Sequence, residues 1–295
     1  MQGKLKMIGG VSARAATLLI VWGGVLSVVT GCETNPYTGR SQLLMTSISE
    51  EMQLGAQAYA QVTSDPNIRL SRDPREVEPV RRVADRIIEA AKRSKYAAMA
   101  KQFEWEVSVI KDDKTANAFA LPGGKIAVYT GIFPIARTEA GLAVVMGHEV
   151  VHALARHGAE RMSQGQLANA ALQVAGAAIG ASKSDPLLGQ AAMAALGLGA
   201  QVGVLLPFSR KHESEADYVG ILLAADAGYD PREAIGLWER MAAFSQGKEP
   251  VEFLSTHPSH GTRIEQLKVW MPEAMAIYQK KPPAPNPLLP AVPSQ

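Results

Sequence analysis

The sequence predicts a mainly helical α+β domain with a small sheet beside one buried helix. Several stretches carry apolar residues at helical spacing, and two short stretches alternate as strands do. The stretch 138–161 is apolar almost all round, which is typical of a helix inside a core. With 295 residues, 47% of them hydrophobic, the chain is long enough for one substantial core.

The first 31 residues predict a targeting segment that is separate from the domain. They begin with basic residues, continue with the apolar run 15–29, and end in Val-Thr-Gly directly before Cys32, the only cysteine. This arrangement resembles a bacterial lipoprotein signal, and an ordinary membrane anchor is the alternative. We therefore expect lipidation of Cys32 and attachment to the periplasmic side of a bacterial outer-membrane bilayer.

The charge of the chain argues against nucleic acid as a partner. Of its 30 basic residues, Lys4, Lys6 and Arg14 lie in the targeting segment, so 27 basic residues remain against 28 acidic ones. A near-neutral domain without basic runs has no electrostatic surface for phosphates. A single cysteine also excludes an internal disulfide and a metal site built from several thiolates.

The remaining segments follow in a simple order. Residues 32–47 contain Asn-Pro and Thr-Gly turn signals and are expected to form a tether. Capping patterns predict helices over 47–62 and 73–91, and alternation predicts strands over 103–109 and 125–133. A single folded domain is expected to cover 48–280, and the proline-rich residues 281–295 are expected to be disordered.

A substrate-binding strand is predicted next to the buried helix. The turn at Pro122-Gly123-Gly124 leads into the strand GKIAVYTG, which is followed closely by that helix. A strand at the edge of a sheet can pair with an extended peptide. We therefore assign Asn117, Ala118 and Gly124 to substrate binding, with a purely structural strand as the alternative.

The segment 167–206 is rich in alanine and glycine. Its two apolar halves are each about 15 residues long and are interrupted by polar residues or glycine, so they are short for membrane spans. We expect a helical hairpin instead, because small side chains let helices approach closely. Such a hairpin would act as a lid or as a surface for a membrane or a partner.

The buried helix carries the pattern HExxH. His148 and His152 lie one turn apart on the same face, so both imidazoles can bind one metal ion, and Glu149 lies beside them as a general base. Buried imidazoles need partners, and a metal ion satisfies that need. The metzincin arrangement fails, because Gly158 occupies the position of its third histidine.

A third metal ligand is predicted about sixty residues later. In SRKHESEAD, Glu213 and Asp217 lie four residues apart on one helical face, which Ala216 and Gly220 keep small enough to pack closely. Glu213 would complete a zinc site with an open fourth position, and Asp217 would orient a histidine ligand. His212 is a weaker alternative ligand.

The segment STHPSHGTR supplies further candidates near the metal. His257 or His260 would approach from the open side, either stabilising the oxyanion or taking the fourth position in a resting state. Arg263 is a further candidate for the oxyanion, as are Arg210 and Tyr218. The sequence does not choose among them.

Together, TNPYTGRSQ, NAFALPGG, GHEVVHALARH, SRKHESEAD and HPSHGTRI resemble a known family. This is the gluzincin metallopeptidase family of HtpX and the CAAX prenyl proteases, with most likeness to periplasmic lipoproteins of the LoiP and BepA type. The resemblance covers residues 34–271 and implies a zincin-like domain. It also implies one Zn²⁺ held by His148, His152 and Glu213, with Glu149 as catalytic residue, Asp217 behind the ligands and His257 near the metal.

The function predicted from these residues is zinc-dependent hydrolysis of peptide bonds. Misfolded or misassembled envelope proteins are the expected substrates, and the outer-membrane assembly machinery is a further expected partner. The chain departs from BepA in having no helical repeats after Arg263. A lipid-anchored chaperone that binds unfolded outer-membrane proteins is the alternative, although such a protein needs no general base.

Overall fold

The computed structural model describes residues 32–167, 209–245, 252–257 and 261–292. Its first half contains β1 (Cys32–Thr34), β2 (Ser41–Leu43), α1 (Ile48–Ser64), α2 (Pro74–Arg93), α3 (Ala97–Ala100), β3 (Glu106–Ile110), β4 (Ala118–Leu121), β5 (Lys125–Tyr129) and α4 (Phe133–Ala136). Its second half contains α5 (Glu139–Leu154), α6 (157–167), α7 (Arg210–Asp226), α8 (Glu233–Ser245), α9 (Glu252–Thr256) and α10 (Arg263–Tyr278). The predicted α+β, mainly helical class is confirmed.

The local signals for the first helices are confirmed. The Ser47 hydroxyl accepts a hydrogen bond from the Glu50 N–H, and the Glu50 carboxylate accepts one from the Ser47 N–H. Asp73 caps α2 by accepting a hydrogen bond from the Arg75 N–H. These bonds satisfy donors that the first turn of a helix cannot satisfy itself, which explains why both helices begin where the sequence predicted.

The three-stranded sheet has the order β3-β5-β4. β5 pairs in parallel with β3 and antiparallel with β4, for example Ile126 with Val107 and Ala127 with Phe119. The predicted substrate strand GKIAVYTG is therefore central and has no free edge, which corrects the sequence analysis. β4, which the sequence analysis did not predict as a strand, forms the edge that lies beside α5. The second predicted strand also ends early, because residues 130–136 are helical.

The central helix α5 begins at the Thr138 cap and crosses α7 at two glycines. A Cβ atom on Gly147 would lie 2.8 Å from the Gly220 carbonyl oxygen, and one on Gly220 would lie 2.9 Å from the His148 nitrogen. Both separations are too short for real contacts. The small face predicted on α7 is thus required, because it lets the two helices bring their polar residues together.

The amino-terminal segment 32–47, which was predicted as a tether, packs onto the domain. β1 and β2 form an antiparallel hairpin. The Gln42 side chain donates a hydrogen bond to the Ala155 carbonyl at 2.8 Å, and the Met45 N–H donates one to the Ser163 hydroxyl at 2.9 Å. The hairpin therefore lies against the end of α5 and the start of α6.

The carboxy-terminal segment is ordered through residue 292, which corrects the prediction of a disordered tail. The N–H groups of Glu139 and Ala140 donate to the Pro287 carbonyl and the Asn286 side chain, and the Leu289 N–H donates to the Arg137 carbonyl. The tail thereby satisfies donors at the amino end of α5. An extended proline-rich segment can do this because its carbonyl groups and the Asn side chain still accept hydrogen bonds.

The predicted helical hairpin 167–206 falls almost entirely outside the described residues, which include only Leu167 of it. In the part of the chain that the structure describes, no helix combines the length and apolar character needed to cross a bilayer.

Candidate metal centre

Three donor groups from α5 and α7 converge in the interior. His148 Nε2 lies 3.0 Å from His152 Nε2. Of the two carboxylate oxygens of Glu213, Oε2 lies 3.5 Å from His148 Nε2 and Oε1 lies 3.4 Å from His152 Nε2. All three side chains are almost completely buried. The predicted ligands therefore meet, because the histidines share one face of α5 and the glycine crossing presents the first turn of α7 to that face.

The spacing of these donors fits a zinc ion. Two ligands that lie about 2.0–2.1 Å from a tetrahedral zinc ion are about 3.3 Å apart, and the observed separations of 3.0, 3.4 and 3.5 Å bracket that value. In addition, Glu213 Oε2 is buried and accepts no hydrogen bond from the described residues. A metal ion would satisfy this oxygen, so the donor set fits the group that the motif implies.

His257 occupies the fourth corner. Its Nδ1 atom lies 3.3 Å from His148 Nε2 and 3.1 Å from Glu213 Oε1. One ligand atom from each of the four residues lies within 4.8 Å of the others. The backbone N–H of Phe253, in the same segment, donates to the Ala116 carbonyl just before β4. The sequence left two roles open for His257, at the oxyanion or in the fourth metal position. The geometry matches a resting state in which His257 takes the fourth position.

Burial and charge favour the metal-binding forms of these ligands. Burial lowers the pKa of His152 well below its ordinary value, so its imidazole is neutral and has a lone pair to offer. Burial raises the pKa of Glu213, but hydrogen bonds from His152 and His257 outweigh it and the pKa is lowered. Burial raises the pKa of Glu149, which favours a carboxyl group able to take and return a proton.

His148 is held from behind by two charged residues. Its Nδ1 lies 2.9 Å from Asp217 Oδ1, and this carboxylate receives a hydrogen bond from Arg263 at 2.7 Å. The predicted partner of a histidine ligand is thus Asp217. Arg263 is buried, lies 3.2 Å from Glu213 Oε2 and stacks 3.3 Å above the centre of the Trp238 ring. Its guanidinium thus binds the carboxylates behind the ligands, and its role as an oxyanion group stays a prediction.

His152 is held from behind by residues that the sequence analysis missed. Its Nδ1 lies 3.0 Å from His157 Nδ1, and His157 Nε2 lies 3.0 Å from Glu215 Oε2. No helical periodicity predicts this contact, because residues five apart do not share a face. The contact exists because the helix breaks at Arg156, whose φ of 57° turns the chain and points His157 back under the metal ligands.

The other candidates have different surroundings. Arg210 is exposed at the start of α7, and the Tyr218 hydroxyl donates to Glu273 on α10. His212 Nε2 lies 3.1 Å from Glu160 Oε2 rather than among the metal donors. Gly124 lies in the turn before β5 with φ of 85°, where a Cβ atom would collide with Trp105, so its role is structural. His260 lies outside the described residues.

The substrate-strand candidates Asn117 and Ala118 lie on the edge strand or next to it. The Asn117 side chain accepts a hydrogen bond from the Ala118 N–H at 2.9 Å, while the Asn117 carbonyl accepts one from Tyr129 in β5. Two residues further along, the Ala120 N–H hydrogen-bonds Glu149. The outer edge of β4 therefore runs directly past the general-base candidate.

Comparison with known proteins identifies the family. A model described as Peptidase family M48 matches residues 74–271. Mitochondrial metalloendopeptidase OMA1 of Schizosaccharomyces pombe is 38% identical over 258 residues, which cover 86% of this chain and 71% of that protein. The human metalloendopeptidase OMA1, mitochondrial, is 34% identical over 277 residues, which cover 90% of this chain and 51% of that protein.

A bacterial relative is more distant. The beta-barrel assembly-enhancing protease of Escherichia coli K12 is 29% identical over 239 residues, which cover 80% of this chain and 47% of that protein. This chain thus spans about half the length of the human and E. coli relatives.

The comparisons contradict the predicted localisation. Relatives from S. pombe, Saccharomyces cerevisiae and Arabidopsis thaliana, at 38%, 31% and 42% identity, are all named as mitochondrial enzymes. The expectation of a bacterial periplasm and outer membrane is therefore wrong. Lipidation of Cys32 is a separate matter and stays a prediction.

Two independent observations now agree. The buried donor set has the spacing of a zinc site, and the family match covers α2 through most of α10, including HExxH and Glu213. The named relatives are metalloendopeptidases. The chain belongs to peptidase family M48 and is a zinc metalloendopeptidase.

Proposed function

We propose that this enzyme cuts extended segments of misfolded or misassembled proteins, with zinc held by His148, His152 and Glu213. The observation that carries this proposal is the convergence of three buried donor groups, spaced as zinc ligands are, beside Glu149. When bound there, zinc supplies Lewis-acid activation of water and of the scissile carbonyl. The remaining steps belong to residues of the chain.

Glu149 is the proposed general base and acid. Its Oε1 atom is buried, makes no hydrogen bond within the described residues and lies 3.4 Å from His257 Nε2. Once His257 has moved away, this oxygen can take a proton from the attacking water. The raised pKa of this carboxyl lets it hold that proton and deliver it to the leaving amine. Burial therefore shifts the pKa of Glu149 in the direction that suits a group serving first as base and then as acid.

The edge strand β4 is the proposed substrate platform. An extended peptide that pairs antiparallel with β4 would lie along Ala118 and Ala120, next to Glu149. Main-chain pairing accepts many side chains, which suits substrates recognised by their lack of structure. The name of the E. coli relative, a protease that enhances β-barrel assembly, supports substrates that have failed to assemble.

His257 and α9 must move before a substrate binds. In the structure His257 takes the fourth corner of the metal site, and the Phe253 N–H is bound to the Ala116 carbonyl just before β4. Removing the imidazole with His257→Ala would open that corner while leaving His148, His152 and Glu213 in place. We propose that this variant keeps zinc, which metal analysis of the purified protein would show.

The decisive experiment is Glu149→Gln in the full chain. We expect unchanged zinc content by metal analysis and a loss of at least about 10³-fold in cleavage of a labelled unfolded protein such as casein, because a glutamine cannot accept the proton. The matched control is Glu239→Gln, on the outer side of α8. Full activity of Glu149→Gln would refute the assignment, and zinc-independent suppression of aggregation without cleavage would favour the chaperone.

A further inference from the structure

The two metal-binding histidines need a defined proton position on the nitrogen that faces away from the metal. If His152 offers Nε2 to zinc, its Nδ1 carries the proton and donates it to His157 Nδ1 at 3.0 Å. His157 then accepts at Nδ1, so its own proton lies on Nε2, which points at Glu215 Oε2 3.0 Å away. The tautomers of His152 and His157 are therefore both fixed, because each ring donates its hydrogen bond in the direction of Glu215.

This direction ends on the carboxylate of Glu215, which is surrounded by donors. Arg40 binds Glu215 through two nitrogens, at 2.9 and 2.8 Å, and the Thr38 hydroxyl donates to Glu215 Oε1. Glu215 is therefore placed to accept the hydrogen bond from His157, as the chain of donors requires.

Arg40 also makes the local cluster of charges possible. Its other contacts, at 2.6 and 2.8 Å, reach both oxygens of Glu160. Glu160 and Glu215 are both almost completely buried, and two buried carboxylates without a shared cation would repel each other. One guanidinium in a forked geometry satisfies both, which a lysine could not reproduce.

The hairpin presents Arg40 in a preorganised form. The buried Asn35 side chain accepts hydrogen bonds from the N–H groups of Tyr37 and Thr38, and the Asn35 N–H donates to the Arg40 carbonyl. Gly39 between them has φ of 70°, a conformation that favours glycine. All these residues precede residue 74, where the family match begins.

We propose that Arg40, Glu215 and His157 form a positioning chain that fixes the tautomer and ring orientation of the zinc ligand His152. The amino-terminal hairpin is then part of the metal site, although it lies outside the matched peptidase region. Groups behind metal ligands commonly contribute about 10- to 100-fold to metal affinity. This inference rests on the zinc site proposed above.

The test is the zinc affinity of the full chain, measured by competition with a chelator. We expect Arg40→Gln and His157→Phe to weaken zinc binding about 10- to 100-fold. The matched control is Ser163→Ala. Ser163 also joins the amino-terminal segment to the domain, because its hydroxyl accepts a hydrogen bond from the Met45 N–H at 2.9 Å, but it is not a member of the chain of donors. We expect its zinc affinity to change by less than about twofold, whatever it does to thermal stability.

A second pair of variants covers the case in which Arg40→Gln does not fold. The amide of His157→Gln can accept from His152 and donate to Glu215, whereas His157→Phe can do neither. Zinc affinity should therefore be retained by the first and lost by the second. In the zinc-loaded wild type, ¹⁵N NMR should show His152 protonated at Nδ1 and His157 at Nε2.

The outcomes are distinct. Equal losses of zinc affinity in Arg40→Gln and Ser163→Ala would overturn the proposal, because docking of the hairpin alone would then matter. Normal zinc binding by His157→Phe, or a His157 protonated at Nδ1, would also overturn it. A wild-type chain that binds no zinc would instead refute the proposed function.

Discussion

The two histidine ligands are held in place by different means. Behind His148 stand Asp217 and Arg263, a compact ion pair that is buried on all sides. Behind His152 stands a longer path through His157 and Glu215 that reaches the amino-terminal hairpin. One ligand is thus supported entirely within the matched peptidase region, and the other depends on residues before it.

This difference shows which histidine has a rigid support and which one is linked to a distant segment of the chain. A buried ion pair with no link to solvent makes a rigid support, and it is costly to break because the remaining charge stays buried. The path behind His152 ends in the amino-terminal hairpin. It therefore links this histidine to a segment at the protein surface. The following variants separate these two properties.

The largest effect is expected on the His148 side. Arg263→Met would leave Asp217 and Glu213 buried without their cation, and we expect the free energy of unfolding of the metal-free protein to fall by about 3–5 kcal/mol. Urea denaturation in the presence of a chelator measures this. Lys268→Gln, on the same helix but exposed, is the control and should show no measurable change. A small loss for Arg263→Met would mean that the support is not rigid.

Asp217→Asn tests the support behind His148 with a smaller chemical change than Arg263→Met. The amide keeps the shape and can still accept from His148, but it loses the charge that attracts Arg263. We expect zinc affinity to fall about 10- to 100-fold, comparable to the loss from breaking the other support. Asp226→Asn lies on the same helix and pairs only with surface cations, so its zinc affinity should equal that of the wild type. Unchanged zinc affinity in Asp217→Asn would mean that only the support behind His152 contributes to zinc binding.

The pH dependence of stability tests the buried charges that bind the amino-terminal hairpin. Burial raises the pKa of Glu160, but hydrogen bonds from His212, Arg40 and Gln42 outweigh it and lower the pKa. A carboxyl with a lowered pKa in the folded state stabilises it above the unfolded pKa of 4.5, and this contribution is lost as the pH falls further.

We therefore expect metal-free wild type to exceed Glu160→Gln in unfolding free energy by about 1.5–3 kcal/mol at pH 7, with the difference shrinking below pH 4.5. Urea denaturation of both proteins from pH 7 to pH 3 measures it. A difference that stays constant over this range would show that the charge of Glu160 contributes nothing.

The smallest effect is expected at the far end of the metal helix. Asn286→Ala removes the acceptor for the Ala140 N–H, and we expect a loss of about 1 kcal/mol in stability with zinc affinity unchanged. Thermal denaturation and chelator competition measure the two. Asn67→Ala, which removes only a local contact with Asp65, is the control. Weakened zinc binding by Asn286→Ala would make the tail a third support of the site.

Helical periodicity explains why most of the metal centre was predictable. His148 and His152 are four residues apart, as are Glu213 and Asp217, and residues at this spacing share a face whatever the fold around them. The small residues on α7 further predicted close packing against α5, which the Gly147 and Gly220 crossing confirms. HExxH followed by an acidic pair four residues apart is thus a pattern within single helices that predicts contact between two helices.

Other parts of the site had no local signal. The edge strand β4 is four residues long and lies between a polar loop and a Pro-Gly-Gly turn, so no alternating pattern separated it from the loop. The tail seemed unable to order because proline lacks an N–H group, yet it orders by accepting hydrogen bonds from α5. Both errors arose because pairing partners come from elsewhere in the chain.

The sequence by itself determined the candidate metal ligands, the candidate general base and the class of chemistry, because these depend on residue types at helical spacing. Only the tertiary structure decided what stands behind the ligands and what covers them. Arg40 meets Glu160 and Glu215 across 120 and 175 residues of sequence. Which buried charges meet at such distances depends on how whole elements pack, and no periodicity within a segment contains that information.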